Sequence, residues 1–189
     1  ISNDTWTDVG SVPGGTDTGS WGGQLVNLNG IIYKIGGDVG AGVAGNDNVW
    51  RFDTSTEVWS QARDMNTPRS FHCAWAYNGK IYVVGGFRSG VGQTSGEIFN
   101  PSNNTWTVDP VSLPEARAGM ACGQGGTNGK FVFVAGGSGF PFSSAGKSYY
   151  RNLEIGGQWI SLGSLDTNVS RTGGGAIGCD AFVVNGQSG

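Results

Sequence analysis

The chain has 189 residues, 36 of them Gly, only 13% charged residues and a net charge of −3. With no Lys/Arg cluster it lacks the basic footprint of a nucleic-acid binder, and runs such as 131–135 are far shorter than the ~20 apolar residues that span a bilayer. Six Pro without a Gly-X-Y period exclude collagen, and seven Trp, five Tyr and nine Phe are too much apolar surface for a disordered Gly-rich linker.

Residues 1–9, with Trp6 after the polar turn Asn3-Asp4-Thr5, read as the last strand of a repeating unit. The chain opens on Ile1 with neither an initiator Met nor an apolar leader, which predicts a removed leader or a piece of a longer protein. A first whole unit is predicted over 20–62. It holds the hairpin signal Asn29-Gly30, a strand closed by Gly36-Gly37, the alternating run 49–53 and Trp59. A second covers 69–110, with strands at 70–77, 80–85, 96–100 and 105–109 around Asn78-Gly79, Gly85-Gly86 and Trp106. A third covers 117–163, with Asn128-Gly129, Gly136-Gly137 and Trp159, and residues 171–189 supply two more strands. The first Gly of each pair recurs at 36, 85 and 136, a period near 50 residues. No window carries a helical period with helix formers, so the fold class is all-β. The GG pairs are not phosphate loops, because neither GK[ST] nor a helix pattern follows them.

Four short strands per ~50 residues match the period of propeller blades. The stretch Met65 to Gly86, with Pro68-Arg69, Asn78-Gly79 and Gly85-Gly86, followed by Glu97 to Trp106, resembles a kelch repeat from end to end. The resemblance covers nearly the whole chain and implies a kelch-type β-propeller. Three full four-stranded blades are expected, with partial blades at 1–9 and 171–189, as part of a larger propeller. Its remaining blades, or another copy, are expected to cover the open strand edges.

In such a blade, the loop between the second and third strands and the blade-to-blade connection emerge on one face, where binding residues are expected. That face carries the loops 38–48, 87–96 and 138–148, with candidate contacts Phe87, Phe140 and Phe142. It also carries Arg69, Arg117 and Arg171, whose guanidinium forks suit a carboxylate or an acidic peptide, or else tie each loop to carbonyls. The predicted ligand is a protein or a carbohydrate.

Catalysis is not expected. His72 is the only His, and it sits in a strand pattern that points into the core; the cysteines 73, 122 and 179 form no CxxC pair. No cofactor or metal site is predicted. Cys73 and Cys122 lie on the first strands of adjacent blades and are expected as buried free thiols, with Cys179 exposed at a hairpin. Three N-x-[ST] sequons, at Asn3, Asn103 and Asn168, fall at predicted turns or in a connection and point to glycosylation of a secreted protein. The leading expectation is therefore a non-catalytic extracellular or cell-surface binding module. Family resemblance leaves two alternatives. One is a fragment of a secreted galactose-oxidase-like copper-radical enzyme, whose site needs two His and two Tyr. The other is an intracellular kelch substrate adaptor.

Overall fold

The structure is a computed structural model that describes residues 8, 10–13, 21–38, 44–138, 145–170, 173–178, 180–184 and 187–188. The first blade is an antiparallel sheet of β1 (Gln24–Leu28), β2 (Ile31–Ile35), β3 (Val49–Asp53) and β4 (Val58–Gln61), in that order. The second blade repeats the order with β5 (Cys73–Tyr77), β6 (Lys80–Val84), β9 (Gly96–Asn100) and β10 (Thr105–Asp109). Between β6 and β9 the long loop folds back on itself as a small ribbon of β7 (Phe87–Arg88) and β8 (Val91–Gly92). Its turn, Ser89-Gly90, has positive φ at both residues, 49° and 77°. That is the geometry of a tight hairpin. The third blade contains β11 (Ala121–Gly125), β12 (Phe131–Ala135), β13 (Ala145–Asn152) and β14 (Ile160–Ser170), and the hairpin β15 (Gly173–Ile177) with β16 (Asp180–Val184) begins a fourth. Among the described residues there is no α-helix, only a 3-10 turn at Thr127–Gly129.

Two local rules build each blade. Asn29-Gly30, Asn78-Gly79 and Asn128-Gly129 all have positive φ, which matches the twist of the strands they join. The paired glycines then allow close approach between blades. At Gly85 (φ +70°) a Cβ would lie 2.7 Å from the methyl of Met120 and 2.8 Å from the Arg117 carbonyl, both in the next blade.

First strands of successive blades touch, β1 to β5, β5 to β11 and β11 to β15, so they line the centre of the arc. The core lies between blades as two apolar clusters. Val26, Ile35, Ile81, Phe99 and Trp106 fill the first; Trp75, Met120, Val134, Tyr149 and Trp159 fill the second. Trp106 also donates its indole N–H to the Arg63 carbonyl of the first blade at 2.7 Å. Trp59 is half-buried, and Trp6 lies outside the described residues. An ion pair bolts the second blade to the third, Arg151 to Asp109 at 2.5 Å, with both side chains buried.

The structure corrects three expectations. Cys73 and Cys122 are not free thiols but a disulfide, with Cα atoms 5.8 Å apart. Touching first strands bring the two residues into bridging range, a closeness that spacing along the sequence does not reveal. The third sheet has five strands rather than four, because β14 continues to Ser170 and pairs there with β17 (Gln187–Ser188). Asn168 is consequently part of a strand and not of a connection, because β14 runs unbroken into the entry of the next unit.

Candidate functional site

One face of the arc carries the long loops and the blade entries, and its local architecture repeats. In three units the residue before the first strand's approach forms a bridge to the residue after the glycine pair, Trp21 to Asp38, Ser70 to Phe87 and Ala118 to Ser138, and Ser170 pairs likewise with Gln187, which follows Asn185-Gly186 in the sequence. The preceding carbonyl accepts the second glycine's N–H of the previous blade, Arg69 from Gly37 at 2.9 Å and Arg117 from Gly86 at 2.9 Å. In the next unit that acceptor is Val169, from Gly137 at 2.8 Å. Val169, not Arg171, therefore stands in register with Arg69 and Arg117. Arg171 falls two positions later, outside the described residues, as do Phe140 and Phe142.

Arg69 and Arg117 are buried (0% and 1% exposed), and their guanidinium groups are used internally. Arg69 donates to the carbonyls of Gly85 and Ser95 at 2.8 and 2.9 Å and pairs with the buried Glu97 at 3.4 Å. Arg117 repeats this on Gly136 and Lys147 at 2.9 Å each, and pairs with Glu115 at 2.8 Å. Glu115 also pairs with Lys147, whose hydrogen bond is the largest influence holding the carboxyl below its ordinary range. The arrangement matches the second of the two readings open for these arginines, with each fork tying its own loop down at both ends. Neither side chain presents a guanidinium to solvent.

The first blade has no Arg at the corresponding place, and no neighbouring residue in the sequence stands out as a substitute. Lys34 fills the role from a different position. Its ammonium, on β2, donates to the Gly36 carbonyl at 2.8 Å and is buried. Each blade thus puts a cation on the carbonyl of its first paired glycine. Burial lowers the Lys34 pKa to about 8.

His72 lies beside this layer, 1% exposed, and neither ring nitrogen has a hydrogen-bond partner. Burial first, then the charges of Arg69 and Lys34, push its pKa down to about 3, so the ring is a neutral core group. Among the described residues no cluster of three or more His, Cys, Asp or Glu could hold a metal ion. No described helix is long and apolar enough to cross a membrane. Phe87 is buried at 6% exposure and stacks edge-on to Phe71 at 6.4 Å; it supports the face from below. An apolar cavity of about 430 Å³, walled by Phe131, Phe133, Tyr150, Leu162 and Ala181, separates the third blade from the β15–β16 hairpin.

The opposite face consists of tight turns. Asn103 lies there, exposed, and accepts a hydrogen bond from the Thr105 hydroxyl at 2.7 Å. Asn3 is outside the described residues.

Comparison with known proteins agrees with this architecture. A family profile for the Kelch motif matches residues 24–66 and 68–110. An F-box/kelch-repeat protein of Arabidopsis thaliana is 38% identical over 92 residues, covering 47% of this chain and 25% of its own length. A second from the same plant is 30% identical over 151 residues, covering 79% of this chain and 36% of its own. Kelch-like protein 23 of Homo sapiens is 29% identical over 75 residues, 40% of this chain and 13% of its own. The chain thus spans about a third or less of these curated relatives. The solved structure of YjhT superposes with a TM-score of 0.71 at 15% identity, over 82% of this chain and 55% of that one.

Proposed function

The chain belongs to the kelch-repeat family, and from that premise we propose that it is a non-catalytic protein-binding module that presents its loop face to a partner. The observation that carries this reading is the internal use of Arg69, Arg117 and Lys34. Their hydrogen bonds pin the described loop bases from inside, which gives the face a fixed frame of the kind binding residues stand on.

Capture of partners from native extract tests the face. Arg88→Glu with Val91→Glu, both at exposed positions of the β7–β8 ribbon, should abolish capture. Asn78→Asp and Lys80→Ser, on the turn face, should leave it intact. Loss only with the turn-face variants would place the surface on the wrong side.

We further propose an extracellular setting. Disulfides persist in oxidising compartments, and Cys73–Cys122 is one such bond. The exposed sequon at Asn103 has the accessibility a glycosyl transferase needs. Similarity to F-box/kelch-repeat proteins supports the alternative of an intracellular substrate adaptor. Mass spectrometry of native material separates the two: a glycan on Asn103 establishes secretion, and an unmodified Asn103 with reduced Cys73 and Cys122 establishes the adaptor setting.

A further inference from the structure

Asn-Gly dipeptides occur at 29–30, 78–79, 128–129 and 185–186, the last of them outside the described residues. The first three lie on the turn face of successive blades, and all six residues have positive φ. Besides its turn geometry, the dipeptide carries a chemical liability. The side-chain amide carbon of Asn stands next to a backbone nitrogen whose own residue has no Cβ to obstruct approach. That nitrogen is a poor nucleophile while its lone pair is delocalised into the carbonyl. It reacts only after it has lost its proton and the peptide plane has turned toward the side chain. Whatever holds the Gly N–H in place slows both steps. The blades therefore offer an internal control, with one dipeptide under three degrees of restraint.

The restraint differs from blade to blade. The Gly30 N–H donates to Asn27 Oδ1 at 3.2 Å, and its carbonyl accepts from the Thr54 N–H and hydroxyl at 3.2 and 2.7 Å. The Gly129 N–H donates to the Gly126 carbonyl at 3.1 Å, and its carbonyl accepts from Gln124 Nε2 at 2.7 Å. Gly79 has none of this. Neither its N–H nor its carbonyl has a partner among the described residues, and a Cβ built on it would meet nothing within 4 Å. The ladder between β5 and β6 ends at Tyr77 and Lys80, so the Asn78–Gly79 peptide can turn without breaking it. Asn29-Gly30 is exposed just as Asn78-Gly79 is, so solvent access does not separate these two; hydrogen bonding does.

We propose that Asn78 is a site of spontaneous modification, where asparagine converts to aspartate or isoaspartate through a cyclic imide. The Gly79 nitrogen gives its proton to hydroxide and bonds to Asn78 Cγ. The side-chain nitrogen takes a proton from water and leaves as ammonia. Water then adds to one of the two imide carbonyls, and the ring opens at that carbon–nitrogen bond. Opening at Cγ restores the ordinary backbone as aspartate. Opening at the main-chain carbonyl routes the chain through Cγ, and the added methylene must be absorbed between Tyr77 and Lys80. Either product puts a negative charge on the turn face, two residues from exposed Lys80, and leaves the composition of the loop face unchanged.

The test incubates the full chain in mildly alkaline buffer, folded and in urea, and follows each site by peptide mass spectrometry after digestion in acid. In the folded chain Asn78 should convert at least about fivefold faster than Asn29 or Asn128, the rate equivalent of one hydrogen bond of about 1 kcal/mol. In urea the three rates should converge. Asn27→Ala, at an exposed position, frees the Gly30 N–H and should speed Asn29 by at least about twofold, the lower end for one hydrogen bond. Equal rates at the three sites of the folded chain would overturn the proposal, because restraint would then be irrelevant. A lead of Asn78 that persists undiminished in urea would overturn it too, since flanking sequence alone would set the rate. An unchanged Asn29 rate in folded Asn27→Ala removes the hydrogen bond as the cause. Should that variant fail to fold, the comparison of folded with urea-treated parent still decides.

Discussion

Reducing the Cys73–Cys122 bond should loosen the second and third blades together, and its cost can be worked from the chain. The bridge closes a sequence separation of 49 residues across a Cα distance of 5.8 Å. Loop-closure entropy for a link of that length is about 4 kcal/mol at 25 °C, stabilising the fold by restricting the unfolded chain. The Cys73 side is fully buried beside Trp75 and Met120, so Cys73→Ala would add a packing loss. Cys122→Ser, at the half-buried end, isolates the link more cleanly. Urea unfolding, followed by fluorescence with and without a phosphine reductant, reads the difference. With a slope of about 2 kcal/mol per molar urea, about 4 kcal/mol is a midpoint shift of roughly 2 M. Cys122→Ser should shift the midpoint by the same amount and make the protein indifferent to reductant. Thiol titration of the denatured, unreduced protein should find the single cysteine left when the two bridged ones are taken from three. Three free thiols, or a reductant shift below about 0.5 M, would refute the bridge and its energetic role together.

Arg69→Met should cost about 3–5 kcal/mol in the same urea assay, since it orphans the Gly85 and Ser95 carbonyls and strands the buried Glu97. A loss below about 1 kcal/mol would mean the fork is not a brace. His72 has a folded pKa of about 3 against an ordinary 6.5, so between those values the unfolded chain binds a proton that the folded one refuses. Stability should therefore fall as pH drops through that window, by up to about 1.4 kcal/mol per pH unit. His72→Met, which installs the residue found at the equivalent Met120, should flatten the part of the slope between about pH 6.5 and 5. Lys34 acts in the same sense at alkaline pH. Its folded pKa of about 8 lies below the ordinary 10.5, so stability should rise as pH goes from about 8 toward 10, before the raised Tyr33 and Tyr82 oppose it. Lys34→Met should remove the rise, and thermal melts across that range would show it.

Strand positions, hairpins and the blade repeat are legible because their causes are local. Asn78-Gly79 specifies its turn by the φ values its own residues tolerate. The site is legible only in outline. Strand order alone places the loops and the arginines on one face, yet whether a guanidinium meets solvent or a carbonyl depends on loop bases that fold back from elsewhere. Lys34 is not foreseen because it reaches the glycine carbonyl from another strand than Arg69 does. Arg171 is misaligned for a related reason: sequence intervals tolerate a two-residue slip that the hydrogen bond from Gly137 to Val169 does not. The disulfide, the buried ion pair of Arg151 with Asp109 and the edge-on contact of Trp21 with Phe71 all join residues of different blades. Period and propensity act within a blade, so they determine the blade by themselves. Distances between blades are decided by how closely the glycine pairs let neighbouring backbones approach, and only the packed tertiary structure sets that.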